Sequence, residues 1–501
     1  MSKLGIIDIG SNSVRLIVSE IHPSGGFKIL MDLKETLRIG LDVELNNKIS
    51  DNKLKECLST LKNFKLLCDT MGANNIITVA TEAIRKASNN SMFINLVKDD
   101  VGLNIKVLSG TEEASLDAKS VINSLYIENS LVIDIGGSST ELAWVKDNKI
   151  IQCACLPFGS INLTHRYNIE NIIDYKEEAK LKEFLIESMK DVPWLVTGNF
   201  KSIIGIGGSV RNLSRIDKIK KRYPIDSFHN YIFSDLDLSY MYNLLKSKSL
   251  KDRSRIEGLS KDRADIIVAS TSILNTLAQN LNIKEIVVSG KGLREGLLYD
   301  YIEKNICYIN DILEYSLESI LENHNVDLVH AKNVYTHSKT LFNALKEKYN
   351  LNEDLLKILK IASYLHDVGI SMRYYDHEKH SFYMILNSQI SGVNHKELLM
   401  SAYTAAFHKK IKSTFCQYSS IINRLDIHYV ELLGLILRIS ESFDKTLLGS
   451  ITITDCSLTD DSFIIKVKSN KDISLEIKDA LKCKDLFLEL FHRDLVVEWD
   501  L

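Results

Sequence analysis

The chain has 501 residues, enough for about three or four domains at roughly 100–200 residues each. Its 45% hydrophobic and 25% charged residues exclude a disordered or fibrous chain, and a net charge of −3 gives no global support for a nucleic-acid partner. The eight cysteines have neither CxxC nor zinc spacing and read as reduced thiols of a cytoplasmic protein. The stretch MSKLGIIDIGSNSV lacks a signal-peptide pattern, and no segment is long and apolar enough to span a bilayer, so no membrane partner is expected.

Residues 4–9 (LGIIDI) form an apolar run that reaches Asp8, Ile9 and Gly10. Ser11, Asn12 and Ser13 then turn the chain into VRLIVSEI, which predicts strand, tight loop and returning strand. Leu54, Leu58, Leu61, Phe64 and Leu67 predict a helix over 51–71. ATEAIRKASN follows a short strand and supplies Glu82 and Arg85. In VLSGTEEASLDAKSV (107–121), Glu112 and Glu113 open a helix after a Ser-Gly turn. The pair serves either as an acidic first turn on the helix dipole or as a general base for an attacking water.

The first hairpin then recurs 126 residues later, in SLVIDIGGSSTELAWV. Placing Asp8 on Asp134 puts Gly10 on Gly136, Ser13 on Ser139, Leu16 on Leu142 and Arg15 on Glu141. This is an internal duplication. A helix is expected near 175–190, and SIIGIGGSVRNLSR (202–215) and EIVVSGKGLREGLLYDYI (285–302) both read as strand, glycine turn, helix. Alternating strands and helices up to about residue 300 argue for an α/β architecture in two lobes. Beyond 305 amphipathic helices take over, and nine of the thirteen histidines fall between His324 and His428. The tail returns to strand-like alternation (SITITDCSL, SFIIKVKS) with one helix near 479–491.

Glycines let the backbone approach an anion, successive N–H groups form a donor nest, and Ser or Thr hydroxyls add donors. An aspartate at the strand end repels phosphate, so its partner is a divalent cation bridging to phosphate oxygens. Two such loops across a cleft suit a clamped phosphate chain. Basic clusters at Lys218, Lys220, Lys221 and Arg222, at Lys251, Arg253 and Arg255, and at Lys409, Lys410 and Lys412 are either solvated surface or a polyanion track. No GK[ST] phosphate loop exists, and 290–296 does not fit the dinucleotide fingerprint.

The stretches DIGSNSVRLIV, ATEAIRKASN, LSGTEEASL, VIDIGGSSTEL, LPFGSINLTHRY, IIGIGGSVRNL, RIEGLSKDRADII and VSGKGLREGLL together resemble the exopolyphosphatase and guanosine pentaphosphate phosphatase family of the actin, Hsp70 and sugar kinase superfamily. The resemblance implies an α/β fold of two duplicated actin-like (ribonuclease H-like) lobes, 1–124 and 125–304, then an all-α HD-like domain over 305–447 and a small α/β domain over 448–501. It implies hydrolysis of the terminal phosphate of polyphosphate or of guanosine pentaphosphate (pppGpp), with Mg2+, in a homodimer. A non-catalytic alarmone-binding regulator is the contrasting class.

Residue by residue, Glu113 matches the catalytic base, and Asp134 and Glu141 match the acids that hold Mg2+ and orient water. Arg85 matches a phosphate-binding arginine. The first loop is matched by Asp8, Gly10, Ser11, Asn12, Ser13 and Arg15, and the second by Gly136, Gly137, Ser138, Ser139 and Thr140. Gly205, Gly207 and Gly208 match the adenosine loop of the kinase relatives. Ser138 replaces a usual glycine, Asn162 a common arginine and Glu82 a common serine.

In the histidine-rich part, His330, then His366 and Asp367, then Asp444 follow the ligand order of HD-type metal phosphohydrolases, with His377, His380 and His408 nearby and Glu441 as the other candidate for the last acid. Either this set holds a second divalent metal, or an inherited fold serves packing or dimerisation.

Overall fold

The computed structural model describes residues 1–407 and 415–500, so His408, Lys409, Lys410 and Lys412 lie outside the described residues. The chain divides into two compact units, Met1–Ile312 and Leu313–Leu501. Among the described residues no helix is long and apolar enough to cross a membrane, and the eight cysteines are free thiols.

The first unit holds two sheets. One contains β1 (Ser2–Ile9), β2 (Val14–Ile21), β3 (Phe27–Glu35), β4 (Asn75–Ala80) and β5 (Ile105–Val107) in the order β3-β2-β1-β4-β5. The other contains β6 (Asn129–Ile135), β7 (Thr140–Lys146), β8 (Lys149–Leu156), β9 (Ser202–Ile206), β10 (Tyr231–Ser234) and β11 (Glu285–Val288) in the order β10-β11-β9-β6-β7-β8. Apart from β10, each position in one sheet has its counterpart in the other. In the hairpins Asp8 stands opposite Arg15 and Asp134 opposite Glu141, the pairing the duplication implies.

The two halves are stitched by exchanged helices. Ala118 and Val121 of helix Gly110–Ile122 pack on Val132, Ala143, Val145 and Ile204 of the second sheet. Leu293, Leu297, Leu298 and Ile302 of helix Leu293–Asn305 return to Leu4, Ile6, Ile17 and Val79 of the first. The lobe border expected at 124/125 thus lies just after a helix that packs on the second sheet. The exchange also carries Glu113 and Arg294 to one place.

The second unit carries the expected run of helices, among them Leu328–Leu345, Glu353–Leu365, His377–Asn387, His395–Phe407 and Arg424–Ser442. It ends in β12 (Thr452–Leu458), β13 (Ser462–Lys468) and β14 (Asp494–Asp500), with β13 antiparallel to β12 and parallel to β14. The single helix expected near 479–491 is two, Ser474–Leu481 and Lys484–Phe491. The break lets Phe487 stack on Phe463 at 5.6 Å and on Phe491 at 4.5 Å between ring centres.

Three members of the described basic clusters are engaged within the protein. Lys218 donates to the carbonyls of Asp226 and Ser227 at 2.6 and 3.0 Å, and Lys221 pairs with Asp217 and Asp237. Arg253 is wholly buried and donates to the carbonyls of Lys248, Ala264, Glu170 and Asn171. These charges order loops from within.

Candidate active site

The two loops are built alike. Gly10 N–H donates to the Ser13 carbonyl at 3.1 Å, and Gly136 N–H to that of Ser139 at 2.9 Å. Behind the first loop, the Ser11 and Asn12 carbonyls accept from Gly40 and Arg38 at 2.7 and 2.9 Å. Behind the second, the Gly136 and Gly137 carbonyls accept from Ser160 and Ile161 at 2.9 and 2.7 Å. With these carbonyls engaged at the back, the amide side is what each loop offers to an anion.

Both loops line one cavity of about 140 Å³, through Asp8, Gly10, Ser11, Asn12, Ser13 and Arg15 on one side and Asp134, Gly136, Gly137 and Ser139 on the other. Glu113, Gly207 and Gly208 line it too. Sequence reasoning missed Arg211, Arg263, Arg294 and Glu295, which complete the wall. Burial pushes the Arg211 and Arg263 guanidinium groups down, and Arg15 adds like-charge repulsion to both. An incoming polyanion relieves that cost.

The adjacent glutamates divide the two readings of the Glu-Glu pair between them. Glu112 completes a capping box: its amide donates to Ser109 Oγ at 3.2 Å, and its carboxylate accepts from the Ser109 amide at 2.8 Å. Its ion pair with Lys106, together with Ser109, holds its carboxyl down at about 2. Glu113 instead lines the cavity, and burial together with Glu141, Asp117, Asp8 and Asp134 pushes its carboxyl well up. Asp117, one helical turn on, was also missed, although an i, i+4 pair of acids shares a helix face. It is fully buried, and its carboxyl is driven up by burial and by Asp134 and Glu141.

Burial likewise raises Asp8 to about 6, Asp134 in spite of Arg211 and Arg15, and Glu141 to about 8. Asp8 Oδ1, Glu113 Oε2 and both Asp117 oxygens are buried without a hydrogen-bond donor. Mutually repelling buried carboxylates with unused oxygens beside a phosphate nest are a donor set that fits a hard divalent cation. Glu141 itself does not line the cavity; it lies beside Asp134 in the hairpin, buried, and accepts from Cys155 Sγ at 3.5 Å.

That burial has a measurable consequence. A carboxyl whose pKa rises from 4.5 in the unfolded chain to about 8 in the fold stabilises the fold below 4.5 and loses that contribution as pH rises through 8. The melting temperature of the metal-free protein should therefore fall more steeply over this window than that of Glu141→Gln, and Mg2+ should narrow the difference. Parallel profiles would remove Glu141 from the raised carboxyls.

Other expected site residues have local duties. Thr140 donates its hydroxyl to the Phe158 carbonyl at 2.8 Å. The Ser138 carbonyl accepts from Asn162 Nδ2 at 3.3 Å, and Asn162 Oδ1 accepts from the Gly159 amide at 2.8 Å, so Asn162 braces the second loop. Arg85 is not among the cavity-lining residues: its guanidinium pairs with Glu82 and donates to the Leu108 carbonyl. Glu82 is buried and also pairs with Lys86, so it is neutralised by its own helix.

In the second unit His330, His366 and Asp367 are brought together, with one donor atom from each lying within 4.8 Å of the others. Asp444 stands behind His330, accepting from its Nδ1 at 2.9 Å.

The sequence model of the Ppx/GppA phosphatase family matches residues 17–305, and that of Ppx/GppA phosphatase, domain III, matches 312–489. The guanosine-5'-triphosphate,3'-diphosphate pyrophosphatase of Photobacterium profundum is 26% identical over 400 residues, spanning 77% of this chain and 76% of that one. The crystal structure of the Aquifex aeolicus Ppx/GppA family member is 28% identical, with a TM-score of 0.53 over 61% of this chain and 99% of that one. An exopolyphosphatase from Cytophaga hutchinsonii ATCC 33406, 23% identical, superposes with a TM-score of 0.58 over 61% of this chain and all (100%) of that one, a likeness of fold. The two sheets of the first unit accordingly have the actin-like architecture expected from the sequence.

Proposed function

The chain belongs to the Ppx/GppA phosphatase family, and on that premise we propose that it is a Mg2+-dependent exopolyphosphatase releasing the terminal phosphate of inorganic polyphosphate. One observation carries the reading: two phosphate loops, four arginines and Glu113, whose Oε2 has no hydrogen-bond partner, line a single cavity. The described residues that line it are mostly glycines, hydroxyl side chains, arginines and carboxylates, which suit phosphate.

Arg15, Arg211, Arg263 and Arg294 and the loop amides hold the terminal phosphoryl group and stabilise the charge it gains. Glu113 Oε2 takes a proton from a water whose oxygen forms a bond to the terminal phosphorus. The bridging P–O bond breaks on the opposite side, and its electron pair leaves with the shortened chain. Asp134, with Asp8 and Glu141, would hold Mg2+, which when bound lowers the charge on the phosphate oxygens. A base accepts a proton only when ionised and the neighbouring carboxyls hold Glu113 protonated, so turnover should rise as pH rises through its elevated pKa.

A second reading, removal of the 5'-terminal phosphate of pppGpp, is favoured by the name of the Photobacterium relative. The bond cleaved is the same and only the leaving chain differs. Phosphate release by the pure protein, compared on long polyphosphate and on pppGpp, separates them: a higher kcat/KM on polyphosphate supports the first reading, and the reverse replaces it with the second. Tight pppGpp binding with no release from either substrate in Mg2+ would mean a binding regulator instead.

A further inference from the structure

Arg263 lines the phosphate cavity with an acid on either side of it in the chain, Asp262 and Asp265, and both carboxylates attract its guanidinium. An arginine so flanked is neutralised by its neighbours unless they are drawn elsewhere. Both are drawn elsewhere. Asp262 accepts from Lys34 Nζ at 2.7 Å, and Asp265 accepts from Arg38 Nη1 at 3.0 Å.

The two cations come from the other half of the unit. On β3, Met31 and Leu33 pack on the core of the first sheet, which leaves the alternate residues Asp32 and Lys34 on the opposite face. Lys34 stands opposite Arg15 on the β2–β3 ladder and Arg15 stands opposite Asp8, so Lys34 shares the face from which Asp8 and Arg15 line the cavity. From that face Asp32 also accepts from Arg294 Nη1 at 2.6 Å, a second arginine of the wall. Arg38 lies three residues beyond β3, at φ +54, and its amide donates to the Asn12 carbonyl at 2.9 Å, behind the first phosphate loop. The two acids are fixed on the second lobe, because Ala264 and Ile267 beside them belong to the core of the second sheet. Arg263 itself lies against Gly208, where an added methyl group would overlap its guanidinium, and donates to Ser209 Oγ at 3.3 Å.

On the reading of the cavity as a phosphate site, whichever chain is cleaved there, we propose that Lys34 and Arg38 are positioning residues: by holding Asp262 and Asp265 they set Arg263 against Gly208 and leave its guanidinium to the phosphoryl group. Neither Lys34 nor Arg38 is among the residues lining the cavity, so each acts through Arg263. Both pairs are partly exposed and add little to stability. Their effect lies in where they place the arginine between them. Because each pair joins the first lobe to the second, it forms only when the lobes meet, so the approach of the lobes and the freeing of Arg263 are one event. Arg38 carries the larger share, since its amide holds the first phosphate loop while its guanidinium holds Asp265.

The test measures phosphate release by the full chain in Mg2+, on the better substrate of long polyphosphate and pppGpp. Arg263→Gln should lower kcat/KM by roughly 10–100-fold, the worth of a charged hydrogen bond. Arg38→Gln keeps the amide that holds the loop; it should lower kcat/KM by part of that factor in the unsubstituted chain and not at all in the Arg263→Gln chain. Asp265→Asn gives a result of opposite sign to simple electrostatics. Removing a negative charge near the site favours a polyanion by charge alone, whereas loss of the pair should lower kcat/KM while circular dichroism and melting temperature stay nearly unchanged. Lys34→Asp combined with Asp262→Lys restores an ion pair and should recover most of what either substitution alone loses. Losses that multiply in the Arg38→Gln, Arg263→Gln chain, or an Asp265→Asn chain that equals or exceeds the unsubstituted one, overturn the positioning role and leave the phosphate site standing. An Arg263→Gln chain with full kcat/KM overturns both.

Discussion

Glu113→Gln should lower kcat for phosphate release by roughly 10²–10⁴-fold, the range for loss of a positioned general base. The amide keeps the length and branching of the side chain but accepts no proton. The substitution also removes one of five mutually repelling carboxyls, since Glu113 is raised by burial and by Glu141, Asp117, Asp8 and Asp134. The protein should therefore be no less stable than the unsubstituted chain at neutral pH, and in the absence of Mg2+ it should melt higher. Loss of turnover with retained or improved stability separates a catalytic carboxylate from a structural one. Glu112→Gln is the internal contrast. That residue closes a capping box, which glutamine can also close, and pairs with Lys106 on the exposed surface, so its loss should cost no more than about 1 kcal/mol of stability, as exposed ion pairs do, and leave kcat nearly unchanged. If Glu113→Gln turned over at full rate, another group would be the base.

That contrast shows what the sequence could and could not say. The hairpin duplication was legible because strand pairing fixes register: once Asp8 was set on Asp134, Arg15 and Glu141 had to occupy equivalent places across their ladders, and they do. Glu112 and Glu113 were legible as a pair but not as individuals, because helix phase alone sends one to the cap and its neighbour into the cavity. Arg211, Arg263 and Arg294 sit in three segments that sequence analysis had already singled out, yet each is one arginine on its own helix or turn. Only the packing of these separate segments around one cavity brings them together. In the basic clusters a run of lysines and arginines looks solvated, but two of its members, Arg253 and Lys218, are spent on buried carbonyls. In the helical unit the meeting of His330, His366 and Asp367 was suggested by their order, whereas the placing of Asp444 behind His330 depends on which ring nitrogen it meets.

The second large effect is expected from a residue with no side chain. Gly207 follows β9 and opens helix Gly207–Lys221 with φ +85, and Ile206 beside it pairs with Asp134 on β6. A methyl group there would lie well inside contact distance of Asp134 Oδ1. Gly207→Ala thus has two costs. The left-handed backbone costs about 1–2 kcal/mol for an L-residue with a Cβ, and the Asp134 carboxylate must move aside. Because Asp134 is placed at the second phosphate loop, a displacement near 1 Å should lower kcat by roughly 10²-fold while the chain still folds. Gly72→Ala separates the two costs. Gly72 has φ +74, a similarly strained backbone, but nothing within 4 Å of the added methyl, and it lies beyond helix Asp51–Thr70, away from the cavity lining. It should lose comparable stability in thermal unfolding and keep its turnover. If both variants lost kcat equally, the defect of Gly207→Ala would be one of folding; if Gly207→Ala kept full kcat, Asp134 would not need its observed position. A fall in kcat confined to Gly207→Ala, partly recovered at high Mg2+, would assign the effect to the carboxylate, since more cation draws a displaced ligand back toward the phosphate.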